Sequence, residues 1–299
     1  MTPSLSPRRA TALFVVVILA WGMNWTVTKQ LVEAIPPLWT SAIRSWIALI
    51  GLLVILRSSG NLIIPKRGDI PVVLSVALLH MTLFSVLVAA GLRFLPASKG
   101  IVLGYTTPLW VALAMPIVST ERLDGPKIAG MVLGVLGLGV ILNPASLDWG
   151  NLDIMIGAGM VVLAAMCWAA NIVYLRLHRW IASPLQLLVW QLLVATIVLS
   201  SMAIIWEGWP QVRWSRHLAL LFLYSGLIGT ALAYWAMSMV NRSLPALTTS
   251  LGLTATPVVG IVSAAVVLGE PVDLTLAVAA ALIVGGIALT TLVGRPAPA

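Results

Sequence analysis

Trp21-Gly22-Met23-Asn24-Trp25 lies in the first apolar run of the chain, and Trp168-Ala169-Ala170-Asn171 lies in the sixth, 147 residues later. The same offset relates Pro37-Leu38 to Pro184-Leu185. Further along it becomes 149: Leu95-Pro96-Ala97 matches Leu244-Pro245-Ala246, Thr107-Pro108 matches Thr256-Pro257, Glu121 matches Glu270, and Gly137 matches Gly286. Runs rich in Leu and Ala produce apolar coincidences. They do not produce one near-constant offset that carries Trp, Asn, Pro and Glu together. The pattern reads as an internal duplication, with a first unit over residues 1–147 and a second over 148–299.

The composition says where such a duplicated chain resides. The 299 residues are 60% hydrophobic and 9% charged, with a mean hydropathy of +1.06. So few charges cannot cover that much apolar surface in water. A helix needs about 20 apolar residues to cross a bilayer core. Ten runs qualify: residues 11–32, 36–56, 70–92, 97–119, 127–142, 154–175, 185–206, 217–240, 245–268 and 272–293. They lack the alternation of a barrel strand, so backbone satisfaction in lipid requires helices. The expected fold is all-α and integral to the membrane, with ten transmembrane helices. Arg8 and Arg9 before the first run resemble a signal peptide, but that run is long and holds Trp21 and Trp25. It is read as an uncleaved span.

Ten spans divide into five and five, joined near residues 143–153. Five is odd, so the second unit enters the membrane from the opposite side, which makes the two units inverted-topology repeats. Loop charges set the orientation. With the N-terminus inside, eleven Lys and Arg residues fall in inner segments and five in outer ones, leaving Arg44 within a span. Both termini are expected in the cytoplasm. The net charge of +8 is scattered one or two residues per loop. That pattern fits contact with anionic lipid and gives no basic face for nucleic acid.

All nine carboxylates fall at the ends of apolar runs and none midway. A proton- or sodium-coupled carrier usually keeps a carboxylate at depth, so the chemistry at depth is left to rings, amides, hydroxyls, one His and one Arg. Trp21 and Asn24 share a helical face with Trp25 and Thr28, and Trp168 and Asn171 form a similar face in the second unit. Each amide either ties helices together or meets a polar substrate beside indole rings that attract cations and apolar groups. His80 is the one deep histidine and sits four residues before Phe84; it is either a structural group or a substrate- or proton-linked one. Arg44 either snorkels outward or receives a substrate carboxylate; its repeat partner is Gln191. Tyr105, Tyr234 and Trp235 serve as packing or cavity residues. Thr107-Pro108 and Thr256-Pro257 mark kinks at matching places, either static or acting as paired hinges. Gly130 with Gly134, and Ala277 with Ala281 and Gly285, give small-residue stripes for close helix packing; a homodimer is compatible with them and not required. No phosphate-cradling loop and no metal-ligand spacing occurs, so no cofactor, metal or catalytic residue is expected.

Ten spans in two five-span units, with Trp-Gly-x-Asn-Trp at residues 21–25 and the Leu-Pro-Ala, Thr-Pro and Glu elements in both units, resemble the drug/metabolite transporter superfamily. The EamA-type repeat is the nearest pattern. The Trp-rich, carboxylate-free interior looks most like that of the bacterial aromatic amino acid exporters. The resemblance implies an inner-membrane exporter, not an enzyme, with a central cavity between spans one to four and six to nine and with spans five and ten behind. It also places Trp21, Asn24, Trp168 and Asn171 at or near that cavity. Small multidrug relatives carry a Glu in the first span for proton exchange, and none is present here. The expected activity is export of small amphipathic metabolites, foremost aromatic or neutral amino acids, by alternating access and facilitated flux. Broad drug or metabolite efflux is the alternative within transport, and a membrane-embedded enzyme is the alternative outside it.

Overall fold

The computed structural model describes residues 5–58, 60, 62–118, 125–143, 148, 150–210, 212–244 and 246–293. Glu121, Pro245 and Arg295 lie outside the described residues. Among the described residues every regular element is helical. In chain order the helices are α1 (Pro7–Ala34), α2 (Pro37–Ser58), α3 (Arg67–Gly91), α4 (Ala97–Gly104), α5 (Thr107–Val118) and α6 (Gly125–Ile141). They continue with α7 (Leu152–Leu177), α8 (Pro184–Trp206), α9 (Arg216–Ser243), α10 (Ala246–Leu253), α11 (Ala255–Leu268) and α12 (Leu274–Val293).

Six helices, α1, α2, α3, α7, α8 and α9, are long and apolar enough to cross a membrane, and shorter apolar stretches fill α6, α11 and α12. The fourth and ninth expected spans differ from the sequence reading, because each is two helices. The first break falls at Tyr105 and Thr106, the second at Thr254. Pro108 has no N–H for the carbonyl of Gly104. The Thr107 hydroxyl donates to that carbonyl instead, at 2.9 Å.

Helix starts follow local chemistry. Pro7 and Pro184 stand in the first turns of α1 and α8, where a missing N–H costs nothing. Ser183 and Gln186 form a capping box on α8. Two nine-residue stretches wind as π-helix, Val76–Phe84 within α3 and Tyr224–Leu232 within α9. In the second, Thr230 Oγ1 donates to the Ser225 carbonyl five residues back, at 2.8 Å.

The core lies between the two halves of the chain. Helix α1 packs on α9 and α11, α2 on α8 and α9, α3 on α7 and α8, and α6 on α12. Gly91 on α3 and Gly157 on α7 approach so closely that a Cβ on either would lie 2.8 Å or 3.0 Å from the other's carbonyl oxygen. A Cβ at Gly286 would lie 2.5 Å from the Gly130 carbonyl, which brings α6 and α12 together. Of the stripes read from sequence, Gly130 and Gly134 meet Gly286, and its neighbour Gly285 has open space instead.

Carboxylates fasten the helix ends across the halves. Glu207 at the end of α8 accepts the N–H groups of Leu38 and Trp39 at the start of α2, both at 3.0 Å. Trp39 Nε1 donates to the Gly208 carbonyl beside it at 2.6 Å. Glu270 after α11 accepts the N–H groups of Ala97 at 2.6 Å and Ser98 at 2.8 Å, at the start of α4. Asp69 accepts those of Ile181 and Ala182, before α8, at 3.1 and 2.9 Å. A helix start presents unpaired donors and partial positive charge, and a carboxylate satisfies both.

Candidate functional site

Where α1, α2, α3, α7, α8 and α9 meet the break after α4, they enclose a cavity of about 110 Å³. Eight of the ten side chains singled out from sequence border it: Trp21, Asn24, Arg44, His80, Phe84, Tyr105, Trp168 and Tyr234. Five of them form a continuous cluster of rings. Trp21 meets Tyr234 edge-on at 5.9 Å, and Tyr234 meets His80 at 5.9 Å. His80 stacks on Trp168 with centroids 5.1 Å apart and planes 3° apart, and Phe84 tilts against Trp168 at 5.2 Å. Such offset and edge contacts follow the ring quadrupole.

The polar groups are tethered to the walls. The Tyr234 hydroxyl lies 3.3 Å from His80 Nε2. Arg44 Nη2 donates to Ser85 Oγ at 2.8 Å. The Ser225 hydroxyl donates to Asn24 Oδ1 at 2.8 Å. Among the described residues no Asp or Glu borders the cavity. A second chamber of about 50 Å³ shares Asn24, Trp25, Arg44, Phe84 and Ser85 and reaches Thr28, Thr40 and Ser41. Arg44 therefore borders both chambers.

Two sequence candidates lie elsewhere. Asn171 is 1% exposed, and its Oδ1 accepts a hydrogen bond from Ser75 Oγ at 3.0 Å; the amide is spent joining α7 to α3. Trp235 packs against the apolar clusters around Phe14 and Val17 and around Leu188 and Leu192, one residue round the helix from Tyr234. Among the hinge candidates, Thr107 and Thr256 are buried. The Thr107 hydroxyl reaches the Ala165 carbonyl at 3.3 Å as well as Gly104. None of the four hinge candidates borders the cavity.

The cavity also takes Trp25, Ser45, Met81, Ser85, Leu192, Gly229 and Thr230. Trp25 had a signal in the Trp-Gly-x-Asn-Trp pattern. Ser85 had none; it opens the α-helical turn that follows the π-helical stretch and meets Arg44 from α2. Gly229 is there because a Cβ would fall 2.6 Å from Asn24 Oδ1.

Long apolar helices that pack half against half around a ring-lined chamber define a multi-pass membrane protein with room for a small molecule. The chain belongs to the EamA-like transporter family, whose pattern matches residues 8–143 and 155–292. A probable amino-acid metabolite efflux pump of Salmonella typhimurium is 26% identical over 293 residues, covering 94% of each chain. The aromatic amino acid exporter YddG of Ancylobacter novellus is 30% identical over 207 residues, 67% of this chain and 68% of that protein. A solved crystal structure shares the fold with a TM-score of 0.69, covering 96% of this chain and 97% of the other at 22% identity. The protein is thus a transporter of the EamA type, embedded in the membrane and acting on small molecules.

Proposed function

We propose that the chain is an exporter in the bacterial inner membrane for small amphipathic metabolites, foremost aromatic and neutral amino acids. The single observation that carries this reading is the cavity, in which five stacked or edge-on rings and several tethered hydroxyl, amide and guanidinium groups converge without a carboxylate. An aromatic side chain fits the ring wall, and the polar end of the solute fits the tethered groups. The names of the two relatives point the same way.

In this reading ten spans form two inverted five-helix repeats, residues 1–147 and 148–299, with both termini in the cytoplasm. The π-helical stretches support it, since they have equal length and recur 148 residues apart. The two halves rock about the cavity, with Thr107-Pro108 and Thr256-Pro257 as paired hinges. Flux is facilitated, because no deep carboxylate is there to exchange a proton.

The test uses proteoliposomes loaded with labelled phenylalanine, compared under no gradient, a pH gradient and a membrane potential. Efflux without any imposed gradient is expected. Efflux that occurs only under a pH gradient refutes facilitation. No saturable efflux of phenylalanine, with competition instead among many unrelated drugs, refutes the amino-acid reading.

A further inference from the structure

One positive charge is fixed between the two chambers. Arg44 borders both. A guanidinium has five N–H donors, and the hydroxyl of Ser85 receives one of them. Among the described residues no Asp or Glu borders either chamber, and none forms an ion pair with Arg44. Four of the carboxylates are engaged elsewhere: Glu207, Glu270 and Asp69 hold backbone amides, and Glu33 pairs with Lys29 at 3.3 Å. His80, the other nitrogen base at this depth, is taken up by the Tyr234 hydroxyl and the face of Trp168. A charge at mid-span is costly and is kept where function needs it. A guanidinium matches a carboxylate in shape as well as in charge.

We propose that this cavity selects by charge, taking aromatic monocarboxylates of net charge minus one in preference to zwitterionic amino acids, with Arg44 as the carboxylate-binding residue. The proposal rests on the exporter reading for small amphipathic metabolites and, within that class, moves the foremost substrates from amino acids to aromatic monocarboxylates. A carboxylate cancels the fixed charge. An ammonium group brings a second positive charge into a chamber whose remaining walls are neutral rings, hydroxyls, an amide and apolar side chains. Cation–π attraction to Trp21 or Trp168 offsets part of that, against repulsion from Arg44 in the same poorly screened space. The phenyl or indole ring of either solute finds the same wall of Trp168 and Phe84, so ring recognition does not distinguish the two and charge does. An anion also feels the inside-negative potential as an outward pull, which a zwitterion does not.

Three probes share a phenyl ring on a short linker and differ in charge: 3-phenylpropanoate, L-phenylalanine and 2-phenylethylamine. Each is titrated calorimetrically into the full-length protein in detergent micelles at neutral pH. The expected result is that 3-phenylpropanoate binds at least about tenfold more tightly than phenylalanine, with the amine weakest. Arg44→Gln brings 3-phenylpropanoate down to the level of phenylalanine, and Arg44→Lys keeps the wild-type order. If Arg44→Gln does not fold, the wild-type order alone decides. Phenylalanine binding as tightly as 3-phenylpropanoate, or the amine matching either, overturns charge selection and leaves the exporter reading standing. Failure of all three to bind overturns both.

Discussion

Removing the Glu270 carboxylate should loosen the junction between the halves by a measurable and attributable amount. Its two oxygens accept the N–H groups of Ala97 and Ser98 at 2.6 and 2.8 Å. Hydrogen bonds to a charged acceptor contribute about 1.5–3 kcal/mol each. Capping side chains at helix starts measure about 0.5–2 kcal/mol. Glu270 is partly exposed, which weakens each bond, while the freed amides of Ala97 and Ser98 are buried, which makes their loss costly, so about 1–2 kcal/mol per bond applies. Glu270→Ala is therefore expected to cost about 2–4 kcal/mol for the pair. The partner can be removed from the other side as well. Ala97 is the first residue of α4, and Pro96 before it sits at φ −56°, ψ 143°, a conformation that a residue preceding proline adopts readily. Ala97→Pro thus deletes one donor where helices accept proline. Ala97 is fully buried, so the added ring carries a packing cost of its own. That cost appears with and without Glu270 and cancels in a double-mutant cycle. Reversible unfolding of wild type, both single variants and the double variant in mixed micelles should yield a coupling of about 1–2 kcal/mol. Additivity within about 0.5 kcal/mol would refute the clamp.

Two other perturbations have directions set by the structure. Gly286→Ala places a Cβ 2.5 Å from the Gly130 carbonyl oxygen, and a backbone atom cannot rotate aside, so α6 and α12 must separate; a loss of about 1–3 kcal/mol in the same unfolding assay is expected, with Gly285→Ala, which meets open space, near neutral. Pro108→Ala and Pro257→Ala restore an N–H in the fourth and ninth spans and should slow labelled-substrate flux in proteoliposomes while unfolding midpoints stay within a few degrees of wild type; wild-type flux in folded variants would mean that the kinks only shape the bundle.

Much of the site could be read from residue type and depth. Polar and ionisable groups at mid-span are costly unless they face a protein interior, so Asn24, Arg44 and His80 were visible as candidates before any packing was known, and Trp21 and Trp168 through the repeated motif that carries them. Asn171 satisfied the same criterion and yet faces Ser75, because an amide that joins two helices and one that faces a cavity obey the same rule in sequence. Ser85 gave no signal because a lone serine in an apolar run reads as helix packing, and only the approach of Arg44 from α2 gives it a partner at the cavity. Trp235 and Tyr234 are adjacent in sequence, and only helix rotation decided that the tyrosine lines the chamber.

The acidic residues draw the same line. Sequence alone placed Glu207, Glu270 and Asp69 at the ends of apolar runs, because the cost of a buried charge leaves few other positions. It also set the matching motifs 147 to 149 residues apart. What those carboxylates hold is the start of a helix, or the turn before one, in the opposite half of the chain. Partners more than a hundred residues apart are chosen by how the helices pack, and hydropathy and periodicity describe one segment at a time.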